Sequence, residues 1–204
     1  MNTESLVFGF SIWLRFFFLF TPFFALTMFL TLTQTYSEAQ RHKLALQASF
    51  SVAIICIALF FFGNVVFTIF GITLDAFRVG AGALLFLSAV RLVYSKEAPP
   101  VAEPNEDVAV VPLAIPIIVG PATVGALLVL GGEMPDASHR LTGLAALILA
   151  AFTLGILLFL GSAVERLLGK KGLSILSKIT GLVLAALAAQ MIMMGIQHFF
   201  FSLS

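Results

Sequence analysis

Read along the chain, apolar positions fall into six long runs separated by short polar intervals. The runs cover about Leu6–Thr33, Leu44–Phe67, Leu74–Tyr94, Pro112–Gly132, Leu141–Val164 and Leu173–Phe200. A helix of about 20 apolar residues crosses a hydrocarbon layer, so each run predicts one spanning helix. Polar segments at Gln34–Lys43, Glu133–Arg140 and Glu165–Lys171 predict loops. Gly63-Asn64 and Gly71 predict a tight end to the second helix. Ser95 to Asp107, SKEAPPVAEPNED, is acidic, rich in proline and has almost nothing to bury. It predicts an extended linker. The fold expected is all-α: a polytopic membrane protein with a three-helix unit in 1–94, a linker in 95–107 and a second three-helix unit in 108–204.

The fourth run, PLAIPIIVGPATVGALLVLGG, departs most from a plain spanning helix. It holds Pro112, Pro116 and Pro121, with Gly120 before the third proline. Each proline removes a backbone donor and clashes with the preceding turn, and the residue before it is pushed out of the helical region. Broken backbone at membrane depth is tolerated where protein buries it or where it lines a watery cavity, as in the discontinuous helices of transporters. Pro22 sits in the middle of the first run. In both halves an uncharged span follows, then a span opening on a basic residue and small residues, Arg78 before GAG and Lys178 before ITG. Three helices per unit is an odd number, so a second copy enters the membrane the other way up. The expectation is two inverted three-helix repeats.

Charge sets the orientation. Arg41, Lys43, Arg91, Lys96, Arg166, Lys170, Lys171 and Lys178 fall on one face, and only Arg15, Arg78 and Arg140 on the other. The Lys/Arg-rich face is expected in the cytoplasm, which puts both termini outside and the linker inside. Trp13 suits an interfacial belt, with Arg15 snorkelling to the nearer surface. The N-terminus lacks the basic segment and cleavage site of a signal peptide. The chain of 204 residues is 60% hydrophobic and 10% charged, with mean hydropathy +1.11; soluble domains carry about 25% charged residues. The lipid bilayer is therefore the expected partner, and no basic tract suggests nucleic acid. Cys56 is the single cysteine, so no intrachain disulfide forms.

Candidate binding residues follow from the breaks. Freed amides and carbonyls around Pro116, Gly120 and Pro121 suit a polar ligand, and the helix start after Pro121 suits a carboxylate. Thr123 would sit in that first turn. Thr21, Pro22 and Thr27 have the matching role if the repeat holds. The alternative for both sets is a packing kink with hydroxyls bonded inside the helix. Arg78 is a counter-charge or gate residue, or else a boundary arginine paired with Asp75 three residues away. Gln190, in an apolar stretch, is a helix–helix hydrogen bond or a ligand contact. Met191, Met193 and Met194 read as core filler and His198 as interfacial. No intramembrane cluster of His, Cys, Asp or Glu, phosphate loop or nucleophile with a base is present, so neither an enzyme nor a metal centre is expected. No cofactor is expected. Coupling to Na⁺ or protons stays open, and so does a homo-oligomer; the lack of an intramembrane carboxylate weighs against a simple proton relay.

The sequence resembles the MarC family of bacterial inner-membrane proteins over nearly its whole length. Ala114-Ile115-Pro116 through Gly120-Pro121 is similar to the family's fourth-helix signature. Gly71-Ile72 through Phe77-Arg78-Val79 and Gly80-Ala81-Gly82 resemble its third-helix entry. Ile179-Thr180-Gly181 and Gln190-Met191-Ile192 resemble its last helix. In the first helix the family tends to show asparagine-proline, a glycine two residues on and a second proline. This chain has Thr21-Pro22, Phe24 and Thr27 there. That register pairs Pro22 and position 27 with Pro116 and Pro121. The resemblance implies a secondary transporter or exporter of small neutral amino acids in the inner membrane, with a midplane site between broken helices one and four. The residues alone argue for a small polar solute. A non-transporting scaffold or accessory protein, or a passive channel, is the other reading.

Overall fold

The computed structural model describes residues 3–94, 109–134 and 136–201, and the expected linker at Ser95–Asp107 lies outside them. Among the described residues the chain is all helical. The elements are α1 (Thr3–Leu19), α2 (Pro22–Leu32), α3 (Glu38–Phe70), α4 (Leu74–Tyr94), a π-helical segment (Ala109–Ile118), α5 (Pro121–Glu133), α6 (Ala137–Phe159) and α7 (Gly161–Phe201). Five stretches are long and apolar enough to cross a membrane: Val7–Leu32, Glu38–Phe62, Leu74–Tyr94, Ala137–Phe159 and Gly161–Phe200. The stretch expected as the fourth span is divided between the π-helical segment and the shorter apolar helix α5.

Local chemistry sets the ends. Ser37 and Gln40 form a reciprocal capping box that starts α3, satisfying two otherwise orphaned amides. α3 runs on through positions 63 and 64 and turns at Gly71, in the left-handed region with φ 62°. Of the two signals expected to end this span, the helix passes Gly63-Asn64, which its continuing hydrogen bonds tolerate, and ends at Gly71. The fifth span ends at Phe159. Of the loop expected at Glu165–Lys171, residues 165–168 are helical and the break comes at Gly169, with φ 65° and ψ 168°.

The packing is pairwise and reciprocal. α4 and α7 make the most extensive contact and run antiparallel. Gly82 of α4 lies against the Ala188 carbonyl and Ile192, while Gly181 of α7 lies against the Ala89 carbonyl and Val93. A Cβ on Gly82 would come within 2.7 Å of Ile192, and one on Gly181 within 2.8 Å of Val93. Close backbone approach is what small residues permit in membrane helices. The two faces carry the same spacing, Gly82, Leu85, Ala89 and Gly181, Leu184, Ala188, all buried. α3 and α6 are also antiparallel: His42 stacks on Phe159, Ser49 meets Gly155, and Phe60 meets Gly143.

One constant shift of 99 positions relates these features. It carries Gly82 to Gly181, the N-cap Ser37 to the N-cap Asp136, and Pro22 to Pro121. It carries Arg41 to Arg140, and each of these donates its Nε to a carbonyl beside the preceding half-helix, Thr33 O and Met134 O, both at 3.0 Å. Thr33 O also accepts the Tyr36 N–H at 3.0 Å. The contacts of α3 with the π-helical segment and of α4 with α5 match those of α6 with α1 and of α7 with α2. This register corrects two expectations. Pro22 corresponds to Pro121 rather than Pro116, because each opens a half-helix at a position where a missing N–H costs nothing. Arg78 corresponds to buried Ser177, and Lys178 is turned outward.

Gly82→Leu and Gly181→Leu are each expected to destabilise the fold by roughly 1–3 kcal/mol through overpacking. Gly80→Leu, with open space around its Cβ position, is the neutral control. Thermal unfolding of the purified variants in detergent checks this.

Candidate functional site

The two breaks meet inside the bundle. α1 ends at Leu19, and Thr21 takes the left-handed conformation with φ 47° and ψ 56° before Pro22 opens α2. A β-branched residue rarely adopts positive φ, so the surrounding packing holds this break in place. In the second half the π-helical segment contains Pro112 and Pro116 and closes with a wide-turn bond, Val119 N–H to Ala114 O at 2.9 Å. Wide turns of this kind often mark functional positions in helices. Gly120 is extended and Pro121 opens α5. No side chain caps α2 or α5, which leaves the first-turn amides at both starts without a capping acceptor.

Thr123 joins the breaks. Its hydroxyl is buried and lies 3.4 Å from Leu19 O and 3.3 Å from Ile118 O. The 99-residue shift relates those two carbonyls, so Thr123 sits between the equivalent ends of α1 and the π-helical segment. Its own counterpart is Phe24, which has no hydroxyl. Pro22 is buried and Pro121 is exposed. Thr27 donates to Phe23 O at 2.9 Å, the intrahelical hydroxyl bond anticipated as one alternative, and its oxygen keeps lone pairs free to accept.

A cavity flanks each side of the break. One, of about 100 Å³, is lined by Arg15, Leu19, Ala126, Val129, Leu130 and Glu133, with Gln190 and Met191 opposite on α7. The other, of about 320 Å³, is lined by Thr27, Leu30, Thr31 and Gln34 of the first half, with Arg41, Glu165 and Lys170. The shift of 99 carries Thr27, Leu30, Thr31 and Gln34 onto Ala126, Val129, Leu130 and Glu133. The same face of each second half-helix therefore lines a cavity, on opposite sides of the breaks. Of the expected site residues, Thr123 reaches across to Leu19 O beside the first break, and Thr27 and Gln190 line the flanking cavities. Pro116 lies in the π-helical segment. Gln190 is exposed to its cavity rather than enclosed in an apolar helix contact.

Arg78 is 6% exposed. Its Nε donates to Glu133 at 2.8 Å and its NH1 to Asp75, and His198 Nδ1 lies 3.1 Å away. The expected Asp75 pairing is present, and Glu133 and His198 make it a link between α4, α5 and α7. Sequence reading missed Glu133, which looked like a loop residue, because only the fold sets it beside Arg78. The Trp13 indole donates to Thr153 at 3.2 Å, more than halfway along α6, and Arg15 on the same helix is exposed. Among the described residues no group of His, Cys, Asp and Glu suits a metal ion.

A family model described as MarC family integral membrane protein matches residues 6–200. A UPF0056 membrane protein of Aquifex aeolicus is 30% identical over 87% of this chain and 86% of its own. The UPF0056 membrane protein MJ1677 of Methanocaldococcus jannaschii is 29% identical over 97% of this chain and 98% of its own. The UPF0056 membrane protein YhcE of Escherichia coli is 29% identical over 95% of both. No solved structure matches the chain. A nearly full-length family match, with five helices long and apolar enough to cross a membrane, leads to one conclusion: this chain belongs to the MarC family of multi-pass integral membrane proteins.

Proposed function

We propose that the protein is a secondary transporter of small neutral amino acids, built as six spanning helices in two inverted three-helix repeats. In this reading it sits in the inner membrane with both termini outside. One observation carries the reading: equivalent faces of α2 and α5 line cavities on opposite sides of two abutting helix breaks. Inverted repeats around a site made from discontinuous helices give two alternative packings of the same parts, one open to each side. The uncapped starts of α2 and α5 supply free amide donors to a polar solute, and Thr123 and Thr27 supply hydroxyls. The resemblance supplies the solute class; the residues require only something small and polar.

The present conformation fits one cavity narrower than the other, about 100 Å³ against 320 Å³. Arg78 and Glu133 span the α4–α5 rim of the narrower one. Their 99-shifted counterparts are Ser177 and Gln34, which carry no charge, so the two rims close with unequal strength. Arg78 thus serves as a gate residue.

Counterflow in proteoliposomes is the direct test. Protein loaded with unlabelled glycine, alanine, serine or threonine is expected to take up the labelled solute saturably. Thr123→Val and Pro121→Ala are expected to abolish most of that uptake while the protein stays folded. Uptake without saturation or counterflow points to a channel, and no flux from folded protein removes the transporter reading. A second prediction concerns the rim. In a Cys56→Ala background, Glu133→Gln is expected to raise maleimide labelling of Leu130→Cys by about ten-fold, the scale of one charge-assisted hydrogen bond. Labelling of Thr31→Cys across the breaks is expected to fall.

A further inference from the structure

Arg15 lies on α1 one turn before Leu19, whose carbonyl faces Thr123. Its neighbour on the helix, Trp13, reaches a hydroxyl more than halfway along α6, which sets this stretch at bundle depth. The Arg15 side chain lines the narrower cavity beside Leu19, Glu133 and Gln190, with Leu85, Ala126, Leu130 and Leu187 completing an otherwise apolar wall. Among the described residues it makes no hydrogen bond or ion pair. Glu133, the carboxylate in the same cavity, is already bonded to Arg78. Arg15 is itself exposed on the cavity side of α1, and charges within spanning segments are kept where they meet water, substrate or a partner charge. The repeat gives no packing reason for it either, because the position 99 residues on is Ala114, which is fully buried.

We propose that Arg15 is the residue that takes the carboxylate of the transported solute, in a bidentate guanidinium–carboxylate pair at the inner end of this cavity. The proposal rests on the transporter reading and assigns its ligand a required group: a carboxylate on a small body, with Gln190 available to a second polar group. A guanidinium offers two parallel donors matched to the two carboxylate oxygens. The surrounding apolar wall strengthens that pair and tolerates a short apolar side chain. The cavity across the breaks has its cations, Arg41 and Lys170, beside Glu165. Arg41 is already committed to Thr33 O, Ser162 and Gln34 O.

The test uses binding, so that it reads the site without needing transport. Melting of the purified full-length protein is followed against L-alanine and propionate, and against the amides L-alaninamide and propionamide. The expected result is a saturable rise in melting temperature with the acids and none with the amides. In Arg15→Gln the midpoint of that rise moves about ten-fold or more to higher concentration, and Arg15→Lys keeps part of it. Leu187→Trp, which fills the cavity and leaves Arg15 in place, is expected to remove the rise as well; it carries the test if Arg15→Gln does not fold. Equal shifts with acids and amides, no shift with either acid, or an unchanged midpoint in Arg15→Gln overturns the proposal. Acid-specific shifts lost in Arg15→Gln, without counterflow in proteoliposomes, overturn the transporter reading and leave the carboxylate site standing.

Discussion

A backbone amide or carbonyl in hydrocarbon must be paired by protein or reach water, and everything distinctive here follows from two places where prolines prevent that. Pro22 and Pro121 each end one helix and open another. A single break of this kind would leave its orphaned groups facing lipid. Two breaks set against each other shelter both, and the Thr123 hydroxyl between Leu19 O and Ile118 O is the visible join. The remaining helices surround that junction: α3 and α6 on one side, α4 and α7 on the other, each an antiparallel pair.

The antiparallel pairs explain why the junction is symmetric without being identical. Gly82 and Gly181 allow α4 and α7 to touch along their backbones, with leucine and alanine at matching positions. Such a contact is satisfied equally well from either helix, so it constrains the frame and leaves the cavity walls free to diverge. They have diverged in polarity. Thr27, Thr31 and Gln34 face one cavity, and Ala126, Leu130 and Glu133 face the other. Phe24 stands where the second half has Thr123, and Arg15 where it has Ala114. Every one of these exchanges changes charge or hydrogen bonding on a wall. They are therefore the positions at which a shared scaffold acquires a preference for one ligand and one side.

The resemblance of the first helix to its family is weakest at Thr21, Phe24 and Thr27, and the fold gives each of these a definite place. Thr21 carries the left-handed turn that a glycine or asparagine adopts more readily. Phe24 stands at the position that the 99-residue shift carries onto Thr123. Thr27 bonds back to Phe23 O and turns its lone pairs to the wider cavity. Substitution there alters the lining of the centre and leaves the break itself intact, because the break depends on Pro22.

Hydrophobic run length and proline position alone determined the class, the six apolar segments and the broken first and fourth spans, since both act through the backbone and through local solvation. α4 coincides with its expected span, Leu74–Tyr94, for that reason. The register between the halves was already written in the chain as one 99-residue shift, in Gly82 and Gly181, Arg41 and Arg140, Pro22 and Pro121. It was hidden because the conserved element is spacing among common small and apolar residues. What only the tertiary structure decided was which polar groups share a cavity. Glu133 meeting Arg78 across 55 residues, Gln190 opposite Arg15, and Trp13 reaching Thr153 across 140 residues are long-range meetings. Their geometry depends on how helices cross, and no local pattern along the chain encodes it.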